Sequence, residues 1–478
     1  MVQCGADTRS GVPVRRLCAL AMLFMTSPAV AQTATPATMP TDAEIRHMLA
    51  TRVETQRQAT GIVVGIVDAT GRRIIAYGTM GTDDQRPVGG DTVFDVGSIT
   101  KVFTALLLSD MVQRGEVALD DPVTKLLAAK DLPFLGRGDR EVTLLDLATH
   151  TSGLPLRPTN LVSTNPDDKY AGYTTELLHQ FLASFAFDRD PGSRYEYSNV
   201  GYGLLGETLS LRSDASYRDL LRLRITQPLG MPDTRIDSTE AMESRRATGH
   251  DHELKPVPRW DFGALESAGG LRSTTSDLLN LLEAILGYRS SSLQPAMRAM
   301  TAATRTGGMQ PATQIGLAWN VQRSGGGEIA WKNGSVGGFR TFIGYDSQKR
   351  IGVVALANAQ TAVGVDDVGL HVLDRSMPVD LRTPVIRQEI TVAPAILDRY
   401  VGRYQFSPTD IVTIARDGER LFIQQPGQDR IPLFAYGERE FFLKIVDAQI
   451  TFESSGHDPA TAATWHQSGQ AERGPRIE

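Results

Sequence analysis

The sequence predicts an α+β protein: an antiparallel sheet flanked by helices, with a helical region inserted between its halves, and then a small C-terminal all-β barrel. Three observations carry this. Strand-like apolar runs stand at both ends of the first part of the chain, at Gly61–Asp68 and Arg73–Tyr77 and again at Glu328–Lys332, Thr341–Tyr345 and Ile351–Ala357. The stretch between them, from about residue 98 to 300, has a mostly helical pattern. Past residue 400, short β-rich runs recur at regular spacing between turn residues.

Arg15-Arg16 precede an apolar run, Leu17–Met25, and the small-residue site Ala29-Val30-Ala31. This is the layout of a secretory signal peptide, cleaved before Gln32, and the run is too short to span a bilayer. The segments expected are residues 1–31 as signal peptide, 32–40 as a flexible leader and 41–376 as the first domain. A linker at 377–390 and a β-barrel at 391–478 follow. Periplasmic or secreted location follows from export. Both cysteines, Cys4 and Cys18, fall in the leader peptide, so the mature chain has no disulfide, Cys-ligated metal or Cys nucleophile.

Thr41 stands three residues before Glu44, the signature of a capping box opening a helix with Ile45, Met48, Leu49 and Val53 on its apolar face. Ala69–Arg72 read as the turn of a hairpin. Pro384 and Pro394 bracket the connector to the C-terminal runs, which are Val401–Phe406, Ile411–Ala415, Leu421–Gln424, Ile431–Tyr436, Phe441–Val446 and Ile450–Phe452. The aromatics Phe406, Phe422, Phe434, Phe441 and Phe442 are expected as core. A formal net charge of -6 argues against nucleic acid or an anionic membrane as main partner.

Ser98 and Lys101 lie one helical turn apart, on one face, where a strand-like run ends at Gly97. From Val102 to Leu108 only Thr104 is polar, so the helix is buried and Lys101 is the only ionisable group in its first turns. Burial lowers a lysine's pKa, and a neutral amine can take the proton of a neighbouring serine. Two further clusters complete the set. One is Tyr197-Ser198-Asn199, between a Pro-Gly turn and a helix start. The other is Lys332-Asn333-Gly334-Ser335, a lysine at a strand end followed by glycines that permit close backbone approach. His250-Asp251-His252-Glu253 lacks metal-ligand spacing and reads as a solvated polar loop. His150 reads as structural. No metal or cofactor is expected.

In order and context, Ser98-x-x-Lys101, Tyr197-Ser-Asn199 and Lys332-Asn-Gly334 resemble the three motifs of the penicillin-recognising serine hydrolases. The Tyr-x-Asn form is that of class C β-lactamases, DD-peptidases and related serine esterases. Leu147–Pro155, Pro228–Met231 and Ala268–Ser273 resemble further stretches of that family, and Leu397–Tyr404 resembles the opening of an appended lipocalin-like domain. The resemblance implies Ser98 as acylated nucleophile, Lys101 as its activator and Tyr197 as proton relay. It implies Asn199, Lys332, Asn333, Gly334 and Ser335 as substrate-binding, with the N–H groups of Ser98 and Ser335 as oxyanion hole. The implied substrate is a small molecule, a β-lactam first; the alternatives are a D-amino-acid peptide of the cell wall or a short-chain ester. A non-catalytic reading, a penicillin-binding receptor that acylates and stalls, stays open, as does cell-wall contact through the C-terminal domain. Asn333 stands where the family has Thr or Ser, which counts against efficient β-lactam turnover and leaves Arg340 as a candidate anion partner.

Overall fold

The computed structural model describes residues 39–477 except 128–131, 164, 166, 309–312, 325–326, 362–363, 382–386, 408–409, 426–429, 445–447, 456–457 and 468–469. The expected signal peptide, Cys4, Cys18, nearly all of the leader and part of the linker lie outside the described residues.

Thr41 and Glu44 cap each other reciprocally, so the first helix, Asp42–Ala50, starts where its orphan N–H groups are satisfied. The hairpin follows, Gly61–Asp68 with Gly71–Gly78, and Gly71 takes φ +113° at its turn. These strands join an eight-stranded antiparallel sheet drawn from both ends of the domain. In space the order is Gly71–Gly78, Gly61–Asp68, Ile351–Ala357, Phe339–Asp346, Gly327–Val336, Asn320–Ser324, Gln314–Ile315 and Arg305–Thr306.

Helices cover both faces. Along Gly61–Asp68, Val63 and Val67 belong to the core shared with the helical region, whereas Ile62, Val64 and Ile66 belong to the core beneath the helices Asp42–Ala50 and Asp366–Leu373. That alternation is the period of a strand buried on both faces. Gly65 lets the helix Thr275–Leu286 lie close, since a Cβ there would meet Thr275 Cγ2 at 2.4 Å. In the helical region, the helix Thr100–Gln113 is buried at every position from Thr100 to Met111.

The C-terminal part is a second eight-stranded sheet in sequential order, nearly closed into a barrel by a bridge between Tyr404 and Arg476. Its core holds Tyr404, Ile414, Leu421, Phe441, Ile450 and Phe452, with Tyr400 stacked on Phe452 at 4.6 Å. Two of its strands, Ala462–Gln467 and Gln470–Pro475, were not expected. Both are rich in polar and small residues and carry little apolar alternation, so pairing with neighbours defines them. The aromatic expectation needs correction only at Phe422. Phe441 is core, Phe406 packs at its edge, and Phe434 and Phe442 are buried as a pair 5.8 Å apart. Phe422 lies under the Arg430 guanidinium.

Among the described residues no helix is long and apolar enough to cross a membrane, and no cluster of His, Cys, Asp and Glu could hold a metal ion. The polar loop at 250–253 was misread at its first residue. His250 is fully buried, with Nδ1 2.8 Å from the Asn358 carbonyl and Nε2 accepting from Thr82 N–H.

Candidate active site

Ser98 lies in a short 3-10 turn, Gly97–Ile99, that leads into the buried helix. Gly97 takes φ +53°, and Thr100 Oγ1 fastens the turn by donating to the Gly97 carbonyl at 2.6 Å. The strand Gly327–Val336 backs against this turn so tightly that side chains are excluded. A Cβ on Gly334 would stand 2.2 Å from the Val96 carbonyl oxygen and 3.2 Å from Ser98 N. One on Gly97 would stand 3.2 Å from Ser335 N. The lysine motif therefore sits inside the strand, not at its end as expected, because the strand runs on through Val336.

The strand's neighbour on one side stops short. Asn320–Ser324 pairs no further than Trp331 with Asn320, so among the described residues no strand is registered against Asn333–Val336 on that side. Asn320 Nδ2 lies 3.5 Å from the Trp331 carbonyl, so Trp331 directs its backbone groups to that side. Alternation then points the backbone N–H and C=O groups of Asn333 and Ser335 to the same side, beside Ser98.

Lys101 is fully buried. Its Nζ donates to Ser98 Oγ at 3.2 Å, to Asn199 Oδ1 at 2.8 Å and to the Ala268 carbonyl at 2.7 Å. Burial, followed by the nearby charge of Lys332, holds its pKa well below the usual lysine value. Tyr197 approaches the serine separately and donates to Ser98 Oγ at 2.7 Å. Burial pushes its phenol well up, so the group is protonated at rest. Lys332, also buried, reaches the Tyr197 oxygen at 3.5 Å, and burial lowers its pKa to about 7 against the opposing charge of Asp366.

Asn199 opens the helix Asn199–Ser213, capped by Ser198, whose Oγ accepts from Gly201 N–H at 2.7 Å. Both ends of the Asn199 amide are engaged within the protein, Oδ1 by Lys101 and Nδ2 on the Tyr170 hydroxyl at 2.8 Å. The structure thus brings Ser98, Lys101, Tyr197, Asn199 and Lys332 together, with the backbone of Gly334 and Ser335 beside them. The side chains of Asn333 and Ser335 are turned away. Asn333 Nδ2 donates to Asp366 at 2.6 Å, and Ser335 Oγ accepts from Gln360. Arg340 is also engaged, donating to the Thr361 carbonyl at 3.2 Å.

Sequence reasoning missed three contributors: Tyr170, Asp366 and the depth of involvement of His150. His150 is buried with φ +58°, its ring 4.3 Å from that of Tyr197 and 4.9 Å from that of Tyr202. Its Nδ1 accepts from Ser198 N–H at 3.1 Å and its carbonyl from Glu196 N–H at 2.7 Å. It therefore grips the Tyr197 segment from both sides. The only available signal was its position in Leu147–Pro155.

Residues 42–374 match the model of the family described as Beta-lactamase. The chain belongs to the β-lactamase family. As a member of the β-lactamase family it is a serine hydrolase, on the fold of the class C enzymes. A β-lactamase of Pseudomonas fluorescens is 28% identical over 355 residues, 66% of this chain and 94% of that protein. A D-alanyl-D-alanine-carboxypeptidase/endopeptidase of Escherichia coli (strain K12) is 30% identical over 309 residues, 62% of this chain and 78% of that protein. The crystal structure of a class C β-lactamase from Rhodobacter sphaeroides superposes with a TM-score of 0.56 at 27% identity, covering 66% of this chain and 94% of the other. Residues 387–475, beyond the β-lactamase family match, match a domain described as of unknown function.

Proposed function

We propose that this protein hydrolyses an amide or ester bond through an acyl-enzyme on Ser98. The observation that carries the reading is the pair of contacts on one oxygen: Tyr197 OH at 2.7 Å and the buried Lys101 Nζ at 3.2 Å. In the deprotonated form that burial favours, the Lys101 amine turns its lone pair to Ser98 and accepts the hydroxyl proton as Oγ bonds to the acyl carbon. The carbonyl oxygen becomes an oxyanion held by the N–H groups of Ser98 and Ser335, donors of a kind whose loss costs about 3–4 kcal/mol of barrier. As the bond to the leaving nitrogen or oxygen breaks, Tyr197 supplies that atom's proton and is reprotonated from the Lys101 ammonium. Water then attacks the acyl carbon, losing its proton to the same pair, and Ser98 leaves with a proton restored.

The acyl donors raised by the sequence, a β-lactam, a D-amino-acid peptide and a short-chain ester, share these steps. The retained Tyr197 and Lys332 favour turnover over a receptor that stalls after acylation. Export is inferred from residues 1–31, and N-terminal sequencing of protein from the periplasmic or culture fraction tests it, with Gln32 expected first. Intact-mass measurement with a chromogenic cephalosporin and a p-nitrophenyl ester tests the chemistry. A mass increase by the acyl group, returning to native mass and absent in Ser98→Ala, is expected. An adduct that survives in Ser98→Ala places the nucleophile elsewhere.

A further inference from the structure

We propose that Asp366 makes this site select acyl donors whose leaving group carries no carboxylate, rejecting anionic β-lactams and C-terminal D-amino acids in favour of neutral or cationic leaving groups. The inference rests on the acyl-enzyme reading above and names its substrate class. Tyr197 stands where the leaving atom is protonated, and its oxygen lies 3.5 Å from Lys332 Nζ. The leaving group is therefore directed along the strand at Lys332 and Asn333. An acid on that group needs a cation or a donor there. The Asn333 amide is already donating to Asp366, at 2.6 Å. Asp366 begins the helix Asp366–Leu373, whose N-terminal N–H groups favour a negative charge at that position.

Among the described residues, the charged groups around this point are oriented on Asp366. Lys332 and Arg340 both act on Asp366 electrostatically, and Arg340 spends a donor on Thr361. Asp367, the next residue, is bonded to Arg52 and to the backbone N–H of Asp380. Burial raises the Asp366 pKa to about 6, against the Asn333 bond and the two cations, so it is ionised at pH 7.5. A protein carboxylate thus occupies the surroundings a substrate carboxylate would require, and like charges at close range repel strongly where water is excluded.

The test uses the full chain and two aryl esters, 3-carboxyphenyl phenylacetate and phenyl phenylacetate, at pH 7.5. The wild type is expected to show kcat/KM at least about tenfold higher for the uncharged ester, a discrimination of one buried charge contact. Asp366→Asn is expected to raise the ratio of kcat/KM for the acid to that for the uncharged ester by about tenfold. Asn333→Thr, which frees the strand position without touching the helix, is expected to shift the ratio in the same direction and covers the case of a poorly folded Asp366 variant. Equal rates for the two esters, a preference for the acid, or variants that move both esters alike overturn the proposal. Wild-type rates on both esters in Ser98→Ala overturn the acyl-enzyme reading instead, and the proposal with it.

Discussion

Tyr197 and Lys332 are in contact inside the protein, the phenol oxygen 3.5 Å and the ring centroid 4.6 Å from the ammonium nitrogen. Neither group has its ordinary proton affinity. The lysine is depressed from 10.5 to about 7, chiefly by burial. Between those two values the unfolded chain binds a proton that the native state does not, so stability rises with pH across that window and the penalty is fully present below about pH 7. At about 1.4 kcal/mol per pKa unit the penalty amounts to a few kcal/mol. Lys332→Met is therefore expected to melt higher than wild type at pH 6.5, with the difference shrinking towards pH 10. Its kcat/KM should fall by about tenfold or more, because the cation beside the proposed relay is gone. Thermal melts at several pH values and an ester assay check both halves.

Tyr197→Phe removes one hydroxyl and leaves the ring between His150 and the two lysines. Loss of the proposed proton relay is expected to lower kcat by about 10²–10⁴ with KM changed little, the range for general acid–base catalysis. Acylation of Ser98 by a β-lactam or an aryl ester should remain detectable by mass, but slower. A kcat within threefold of wild type would remove Tyr197 from the proton path.

The central groups were legible because their meaning is local. Ser98 and Lys101 share a helical face, Tyr197 and Asn199 flank a cap, and Lys332 precedes a glycine that a strand-to-turn contact demands. The sheet was legible for a similar reason, since Gly61–Asp68 and Ile351–Ala357 are unbroken apolar runs. What escaped depends on contacts between segments with no shared pattern. Asn333 meets Asp366 across 33 positions and Asn199 meets Tyr170 across 29. Neither Asp366, in a loop-to-helix junction, nor Tyr170, among polar residues, differs by type from a solvated residue. The last two barrel strands escaped because their residues are chosen by exposed pairing, not by burial.

Gly334→Ala tests whether backbone closeness is part of the machinery. The added methyl meets the Val96 carbonyl oxygen at 2.2 Å, Thr341 Oγ1 at 2.3 Å and Ser98 N at 3.2 Å. Backbone on one side and a bonded threonine on the other cannot both yield, so the turn carrying Ser98 must move away from Ser335. Misplacing the proposed oxyanion donors by such a shift is expected to cost about 10²-fold or more in kcat. Overpacking of this kind also costs about 1–3 kcal/mol of stability. Kinetics together with a urea melt separate the two effects, and an active, stable Gly334→Ala would show that the strand and the turn can part without loss.

His150 is held neutral. Accepting from Ser198 N–H requires a bare Nδ1, and burial, then the charges of Lys332 and Lys101, keep the imidazole pKa well below 6.5. The unfolded chain therefore takes up a proton below about pH 6.5 that the native state refuses, so this residue makes the protein lose stability as the pH falls. The slope contributed is up to about 1.4 kcal/mol per pH unit. Asn tolerates the left-handed backbone at this position and retains an acceptor, but it carries no titratable proton and no ring beneath Tyr197. His150→Asn is expected to weaken the protein at pH 7.5 by about 1–3 kcal/mol through lost packing. Between pH 6.5 and 4.5 its stability should decline less steeply than that of wild type, so the two curves converge in acid. Its kcat should fall while the pH at which activity is half-maximal stays put, since the imidazole positions Tyr197 without titrating in the working range. Parallel stability curves from pH 7.5 to 4.5 would mean that His150 takes up its proton in the folded state, and that the bond to Ser198 is not what fixes the ring.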